Sequence, residues 1–443
     1  MSQDWITAYE ALRSVYADGA YSNIALNEAI PHHPGCRDSF VRSMVKGTIR
    51  QTVTLDRIID VLAESGIRGI RRRTLIILRM GLYALREMDS VPDHAAVNEA
   101  VSLARKKAKG TDRFINAMLR SYIRKRDHFE TVSDISEGAP EEAPFIKEIS
   151  DKTEILSVKY SFPMPVVQLI SDQYGDEAEK ILAGLNTPPP VILRVNTLRT
   201  TREDLLAEFE ACGIDAAPVN ESDIAVSVSG GSIIATDLYR SGKFTVQSLS
   251  SIMAVSALGP KPGDKVLDMC AAPGGKTAMM AEMMDNRGSI TACDIHPHRL
   301  GLISASAERL GIDIIETRLA DGTKYDEALA EQFDCVLADV PCSGLGVMST
   351  KPEIRFHIDD ESIAKLPEIQ KDVLGNAVRY AKPGGKICYS TCTLNRPENE
   401  DIIDDLMSKN GGLVRIVEMR TILPYNNVIG FFFCIIEKMH ECI

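Results

Sequence analysis

Lys265-Val-Leu-Asp-Met-Cys-Ala-Ala-Pro-Gly-Gly-Lys276 decides the fold: one short apolar run, a loop of small residues, then the start of a helix. A strand that feeds a helix through glycines is the first half of a βαβ unit. The same order repeats downstream. Strands are expected at SITACD (289–294), DIIETRL (313–319), DCVLADV (334–340) and KICYSTC (386–392), with two more near 412–418 and 430–437. Between them lie helices, such as the one on which Ile363, Leu366, Ile369, Val373 and Ala377 share a face before Pro383-Gly384-Gly385. Near-continuous apolar strands alternating with helices predict a Rossmann-like α/β domain over 259–443, with a mostly parallel seven-stranded sheet.

Upstream, the pattern changes twice. Residues 156–258 read as a small α+β module. Three prolines after Leu185-Asn-Thr stiffen a turn into the β-rich VILRVNT, Thr200 and Thr201 open a helix with Glu203 and Asp204 in its first turn, and 223–229 is another strand. Residues 127–155 are acidic, hold two prolines and keep no period, so they read as a linker. Residues 1–126 read as an all-α bundle. Leu55, Ile58, Ile59 and Leu62 recur at helical spacing, as do Leu75, Leu78, Leu82 and Leu85, then Val97, Ala100, Val101 and Ala104, then Ile115, Met118, Leu119 and Tyr122.

This multidomain reading suits a chain of 443 residues, more than one ordinary core can organise. The net charge of −12 is unevenly spread: residues 1–126 carry 21 Lys and Arg against 13 Asp and Glu, a balance of +8, which leaves −20 for the rest. A basic module joined to an acidic one is the asymmetry expected where one part meets a phosphate backbone. Two basic runs, Arg71-Arg72-Arg73 and Arg105-Lys106-Lys107, lie on its helices. No apolar run reaches the ~18 residues of a membrane span, and MSQDWITAYE lacks the order of a secretory signal. A cytoplasmic monomer is expected, with no membrane and no obligate protein partner. The ten cysteines, at 36, 212, 270, 293, 335, 342, 388, 392, 434 and 442, form no CxxC pair. No metal site and no disulfide framework are expected.

In doubly wound sheets ligands bind beyond the carboxyl ends of the strands. Cys270, Ala271, Ala272, Pro273, Gly274, Gly275 and Lys276 follow the first strand, where small side chains let backbone approach a ligand and a helix start offers N–H groups to a carboxylate. The spacing is neither GxGxxG nor that of a phosphate-binding Walker loop. Asp294 ends the second strand, where an acid commonly holds ribose hydroxyls, and Asp321 follows the third, within reach of an adenine amine. Three features at three consecutive strand ends point to a nucleoside-bearing cofactor.

The fourth strand ends in Asp339-Val-Pro-Cys342-Ser-Gly-Leu-Gly and the fifth in Tyr389-Ser-Thr-Cys392-Thr-Leu-Asn-Arg-Pro-Glu-Asn-Glu. Two cysteines and an aspartate at adjacent strand ends suit covalent catalysis on a pyrimidine. A thiolate adds to carbon 6 of cytosine, carbon 5 becomes nucleophilic, an acid at N3 stabilises charge, and a base later removes the carbon-5 proton. Spacing leaves open which cysteine attacks. Cys388, four residues before Cys392, sits deeper in the strand and reads as core. His296 and His298 read as loop surface, and Arg194 and Asn196 as either substrate contacts or a cap on the cleft.

The ordered set VLDMCAAPGGKT, DIHPHRL, ADGT, DVPCSGLG and YSTCTLNRPENE resembles the RsmB (Sun) family of bacterial 16S ribosomal RNA cytosine-C5 methyltransferases. The resemblance covers nearly the whole chain, and VNEAVSLARKKAKGTDRFINAMLR is similar to the NusB-type RNA-binding fold that family carries at its N-terminus. It implies S-adenosylmethionine (SAM) as cofactor, held by 270–276, Asp294, Asp321 and Asp339, and 16S rRNA as substrate. It also implies Cys392 as nucleophile and Cys342 as the residue assisting release, the reverse of DNA cytosine methyltransferases. Transfer RNA as substrate, or a non-catalytic RNA-binding factor, are the alternatives. Two positions depart from the family's pattern: Ser349 and Thr350 replace two arginines, and Ser161-Phe-Pro-Met-Pro lacks a tryptophan.

Overall fold

The computed structural model describes residues 2–130, 143–229, 233–358, 360–425 and 428–440. They form two compact units, Met1–Asn186 with Thr350–His357, and Thr187–Ser349 with Ile358–Ile443.

The first unit opens with seven helices, from Gln3–Asp18 to Asp112–Arg124. The residues that set the helical period are the ones removed from water: Leu55, Ile58, Ile59, Leu78, Ala100, Ile115, Leu119 and Tyr122 are fully buried. Gly47 permits a close approach, since a Cβ there would lie 2.0 Å from the Tyr83 ring. Helices Lys152–Tyr160, Met164–Tyr174 and Ala178–Asn186 group with this unit, whereas the sequence pattern set them at the head of the α+β module. Long-range bonds explain the difference: Ser161 Oγ accepts from the Val53 and Thr54 N–H groups at 3.0 and 3.2 Å, and Thr54 Oγ1 donates to the Val158 carbonyl at 2.6 Å.

The acidic stretch 127–155, read as a linker, is anchored at both ends. Arg126–Phe129 and Pro144–Lys147 are short helices, and Phe129, Phe145, Ile146 and Ile149 are buried; residues 131–142 lie outside the described residues. Thr350–His357 also belongs to the first unit. Its Arg355 is buried, stacks over Phe162 with the guanidinium 4.3 Å from the ring centre, and donates to the carbonyls of Arg50 and Ser161.

The second unit holds two sheets. Strands β1 (Val191–Val195), β2 (Asp215–Pro218), β3 (Ala225–Ser229) and β4 (Phe244–Val246) form an antiparallel sheet in the order β2-β3-β1-β4. The helix Arg202–Ala211 begins at Thr201, whose side chain accepts from Asp204 N–H, as its sequence suggests. Strands β5 (Lys265–Asp268), β6 (Ser289–Asp294), β7 (Ile315–Leu319), β8 (Phe333–Asp339), β9 (Ala381–Thr391), β10 (Val414–Ile422) and β11 (Phe431–Lys438) form the seven-stranded sheet, in the order β10-β11-β9-β8-β5-β6-β7. It is parallel except where β11 meets β9 and β10. The chain leaves β5 towards β6 and β7, then returns to β8 on the other side, so the strand order reverses between β5 and β8. A crevice opens at such a reversal. The helix Asp360–Tyr380 covers β8 and β9 with Gln370, Val373, Leu374 and Ala377, while Ile369 stays 38% exposed. No described helix is long and apolar enough to cross a membrane.

Candidate active site

Past the end of β5 the loop turns into the helix Gly275–Met283 through Gly274 at φ +101°. A side chain is excluded there twice, by that backbone angle and because a Cβ would meet Ile303 Cα at 3.1 Å. A cleft of about 160 Å³ results, lined by the whole 270–276 loop except Gly274 and by Asp339 from β8. Gln247, Ser251 and Asp268 complete the lining, and sequence reasoning missed all three. Asp268 is buried, and Thr277 Oγ1 donates to its Oδ2 at 2.7 Å. Its Oδ1 has no hydrogen-bond partner among the described residues. Burial pushes this carboxyl up to about 7, the Thr277 bond opposes, and the Asp339 charge adds to the rise. An unpartnered acceptor beside a helix start with N–H groups to give fits the amino-acid end of SAM.

Asp294, at the end of β6, accepts from His296 N–H at 2.9 Å and faces Arg299 Nη1 at 3.3 Å. Arg299 also donates to the Ala272 carbonyl at 2.7 Å, which ties the loop to β6. Asp321 accepts from the Thr323 N–H and hydroxyl at 3.1 and 2.7 Å, and the hydroxyl bond holds it below the ordinary carboxylate value. It borders a separate recess of about 30 Å³ with Cys293 and Tyr380, not the cleft that holds Asp339.

β8 and β9 run in parallel with Asp339 opposite Ser390, so the loops carrying Cys342 and Cys392 leave the sheet side by side. Asp339 Oδ2 meets Lys276 Nζ at 2.7 Å, and Oδ1 accepts from Ser390 Oγ at 2.7 Å. Burial pulls the Lys276 ammonium down, but the charge and hydrogen bond of Asp339 outweigh it and hold the group above its ordinary value. The Cys342 and Cys392 sulfurs are 3.3 Å apart, and Cys392 N–H points at Cys342 Sγ at 3.3 Å. Its hydrogen bond to Cys392 pushes the Cys342 thiol well up, as do burial and the Cys392 and Glu398 charges. Such a thiol keeps its proton at neutral pH.

Three family models cover most of the chain: 16S rRNA methyltransferase RsmB/F over 255–428, the NusB family over 4–124, and the RsmF/B-like ferredoxin-like domain over 162–234. A probable ribosomal RNA small subunit methyltransferase B of Bacillus subtilis is 33% identical, across 97% of this chain and 98% of its own length. The chain belongs to the RsmB/F methyltransferase family. It is a SAM-dependent rRNA methyltransferase with a NusB-like N-terminal region. A human 28S rRNA (cytosine(4447)-C(5))-methyltransferase is 34% identical over 59% of this chain and 33% of its own. The crystal structure of PH0851 shares the fold, with a TM-score of 0.80, 24% identity and 99% of each chain covered.

Within this RsmB/F chain, several residues take structural places. Arg194 is fully buried, meets both Glu282 oxygens at 2.8 and 2.9 Å, and donates to the Gly275 carbonyl at 2.8 Å. It braces the cofactor loop from β1. Asn196 Nδ2 donates to the carbonyls of Gly242 and Leu310 at 2.8 and 2.9 Å, and both residues lie in the core rather than over the cleft. Cys388 is fully buried, and His296 and His298 are exposed. The two basic runs come together: Arg71, Arg72, Arg73, Lys106, Lys107 and Lys109 line one cavity of about 510 Å³ on the helical unit. Among the described residues no group of His, Cys, Asp or Glu is arranged to hold a metal ion.

Proposed function

We propose that this enzyme methylates carbon 5 of a cytosine in 16S rRNA through a covalent bond between Cys392 and carbon 6. The observation that carries the reading is the pair of sulfurs 3.3 Å apart on the loops that follow β8 and β9, the first of which ends in Asp339 of the cofactor cleft. The names of two relatives support the substrate, one a small-subunit rRNA enzyme and the other a cytosine-C5 enzyme. SAM, when bound, supplies an electrophilic methyl group. The 270–276 loop and Asp268, which line the cleft, would hold it together with Asp294, and Asp321 would take part from the neighbouring recess. Cys392 adds to carbon 6 and makes carbon 5 nucleophilic, while Asp339, steadied by Lys276 and Ser390, stabilises charge at N3. Cys342 keeps its proton during the attack and does not compete as nucleophile. Once that proton has passed to solvent, its thiolate takes the carbon-5 proton, the C5–H electrons close the C5–C6 double bond, and Cys392 leaves carbon 6 as thiolate. The basic cavity on the helical unit binds RNA phosphates.

Unmethylated small-subunit RNA with methyl-labelled SAM should yield labelled 5-methylcytosine. Cys392→Ala should abolish the label; full activity in that variant sinks the assignment. Cys342→Ala should trap an RNA–protein adduct that survives a denaturing gel. An adduct formed by Cys392→Ala instead would exchange the two roles.

A further inference from the structure

Glu398 lies fully buried between the two cysteine loops, at the end of the short turn Arg396–Glu398. One carboxylate oxygen accepts from Ser343 N–H at 2.8 Å and from Gln370 Nε2 at 3.0 Å. The other accepts from Asn395 Nδ2 at 3.0 Å and from the Ser343 hydroxyl. Ser343 directly follows Cys342, and Asn395 comes three residues after Cys392. Gln370 Nε2 also donates to the Pro341 carbonyl, at 3.0 Å. A single buried acceptor therefore gathers the chain on both sides of Cys342 and joins it to the Cys392 loop. Bonds to an ionised acceptor are roughly twice as strong as neutral ones, which suits a joint that must not slip.

We propose that Glu398 is a positioning residue that holds Cys342 against Cys392, and so sets how fast the RNA–enzyme bond is broken rather than how fast it is made. This rests on the reading of Cys392 as attacker and Cys342 as the releasing group. The asymmetry comes from what else fixes each sulfur. Cys392 directly follows β9, a strand laddered on both sides, and its carbonyl accepts from Gly346 N–H at 3.0 Å. Cys342 stands on a loop beyond β8, where one backbone bond from Val340 to Ser390, at 3.1 Å, is followed by the contacts to Gln370 and Glu398 and by one hydroxyl contact from Ser343 to Thr393 at 2.7 Å. Loosening Glu398 displaces Cys342 first.

The test uses the full chain, an unmethylated small-subunit rRNA transcript and labelled SAM. In Glu398→Gln an amide donor replaces an acceptor that faces donors. Multiple-turnover methylation should fall about tenfold or more, while the covalent RNA band on a denaturing gel grows several-fold and SAM affinity by calorimetry stays unchanged. Glu398→Asp, which keeps the charge, should recover part of the rate. Ser343→Ala removes the hydroxyl's contacts with Glu398 and with Thr393 Oγ1 but keeps the Ser343 N–H bond to Glu398, and should move the adduct in the same direction by less; it decides the matter where Glu398→Gln fails to fold. A parallel loss of SAM affinity, methylation and adduct overturns the proposal, and so do wild-type turnover and adduct in both variants. Cys392→Ala run alongside separates the two failures. Activity there removes the underlying reading, whereas an inactive Cys392→Ala with no adduct build-up in Glu398→Gln removes the positioning role alone.

Discussion

Asp268 ends β5 and lines the cleft, with one oxygen held by Thr277 and the other buried without a hydrogen-bond partner among the described residues, and burial pushes its carboxyl up to about 7. A raised carboxyl favours the fold most when protonated. Its contribution is complete below the ordinary value of 3.8 and is lost as pH rises through about 7. SAM affinity should run the other way, because an ammonium is held better by the ionised form. Calorimetric titrations from pH 6 to 8 should therefore show tightening with pH in the wild type and a flatter profile in Asp268→Asn. Equal slopes would show that this carboxyl does not meet the cofactor. Little of this was legible from residue types. Asp339, Cys342 and Cys392 stood out because strand ends concentrate chemistry. Asp268 and Glu398 gain their character from burial, which a linear sequence does not display, although an acid within the apolar run VLDM was a usable signal for the first.

At the scale of elements, apolar runs placed the strands of the large sheet, and β6 matched its expected span, whereas β9 starts at Ala381 and takes in the Pro383-Gly384-Gly385 that the sequence pattern sets before it. β2 and β4 escaped because they have four and three residues and mixed exposure, too little for a period of two to register. Arg194 escaped for another reason. A charged residue inside VILRVNT reads as a substrate contact or a cap on the cleft, and only its buried partner shows it to be a brace. That partner, Glu282, is 3% exposed, so removing the guanidinium strands a buried carboxylate. Arg194→Met should lower stability by about 3–5 kcal/mol in urea denaturation, and adding Glu282→Leu should recover most of it. An unchanged midpoint in the single variant would mean that the pair does not hold the loop to β1.

For the whole molecule, the net charge of −12 conceals a helical region with a balance of +8. Arg71, Arg72, Arg73, Lys106, Lys107 and Lys109 gather around one cavity. Each of Arg71→Ala, Arg73→Ala and Lys106→Ala should weaken RNA binding regardless of sequence and reduce the slope of log affinity against log salt by about one. Unaltered slopes would place the phosphate contacts elsewhere. The grouping of three helices with the bundle was invisible in the sequence, since it depends on hydroxyl bonds between Ser161 and Val53 across a hundred residues of chain.

The position of Thr350–His357 also bears on how the protein is made. A ribosome delivers the chain in order, yet the unit that begins with Met1 includes residues up to His357. After Asn186 has emerged, roughly 170 more residues must be synthesised, about ten to thirty seconds at ~5–20 residues per second, before Arg355 can reach the Arg50 and Ser161 carbonyls. Throughout that interval the nascent helices wait with Phe162 lacking its guanidinium cover. The N-terminal half of this enzyme is thus completed by a piece of its own late translation, and a stop codon anywhere before position 355 truncates both halves.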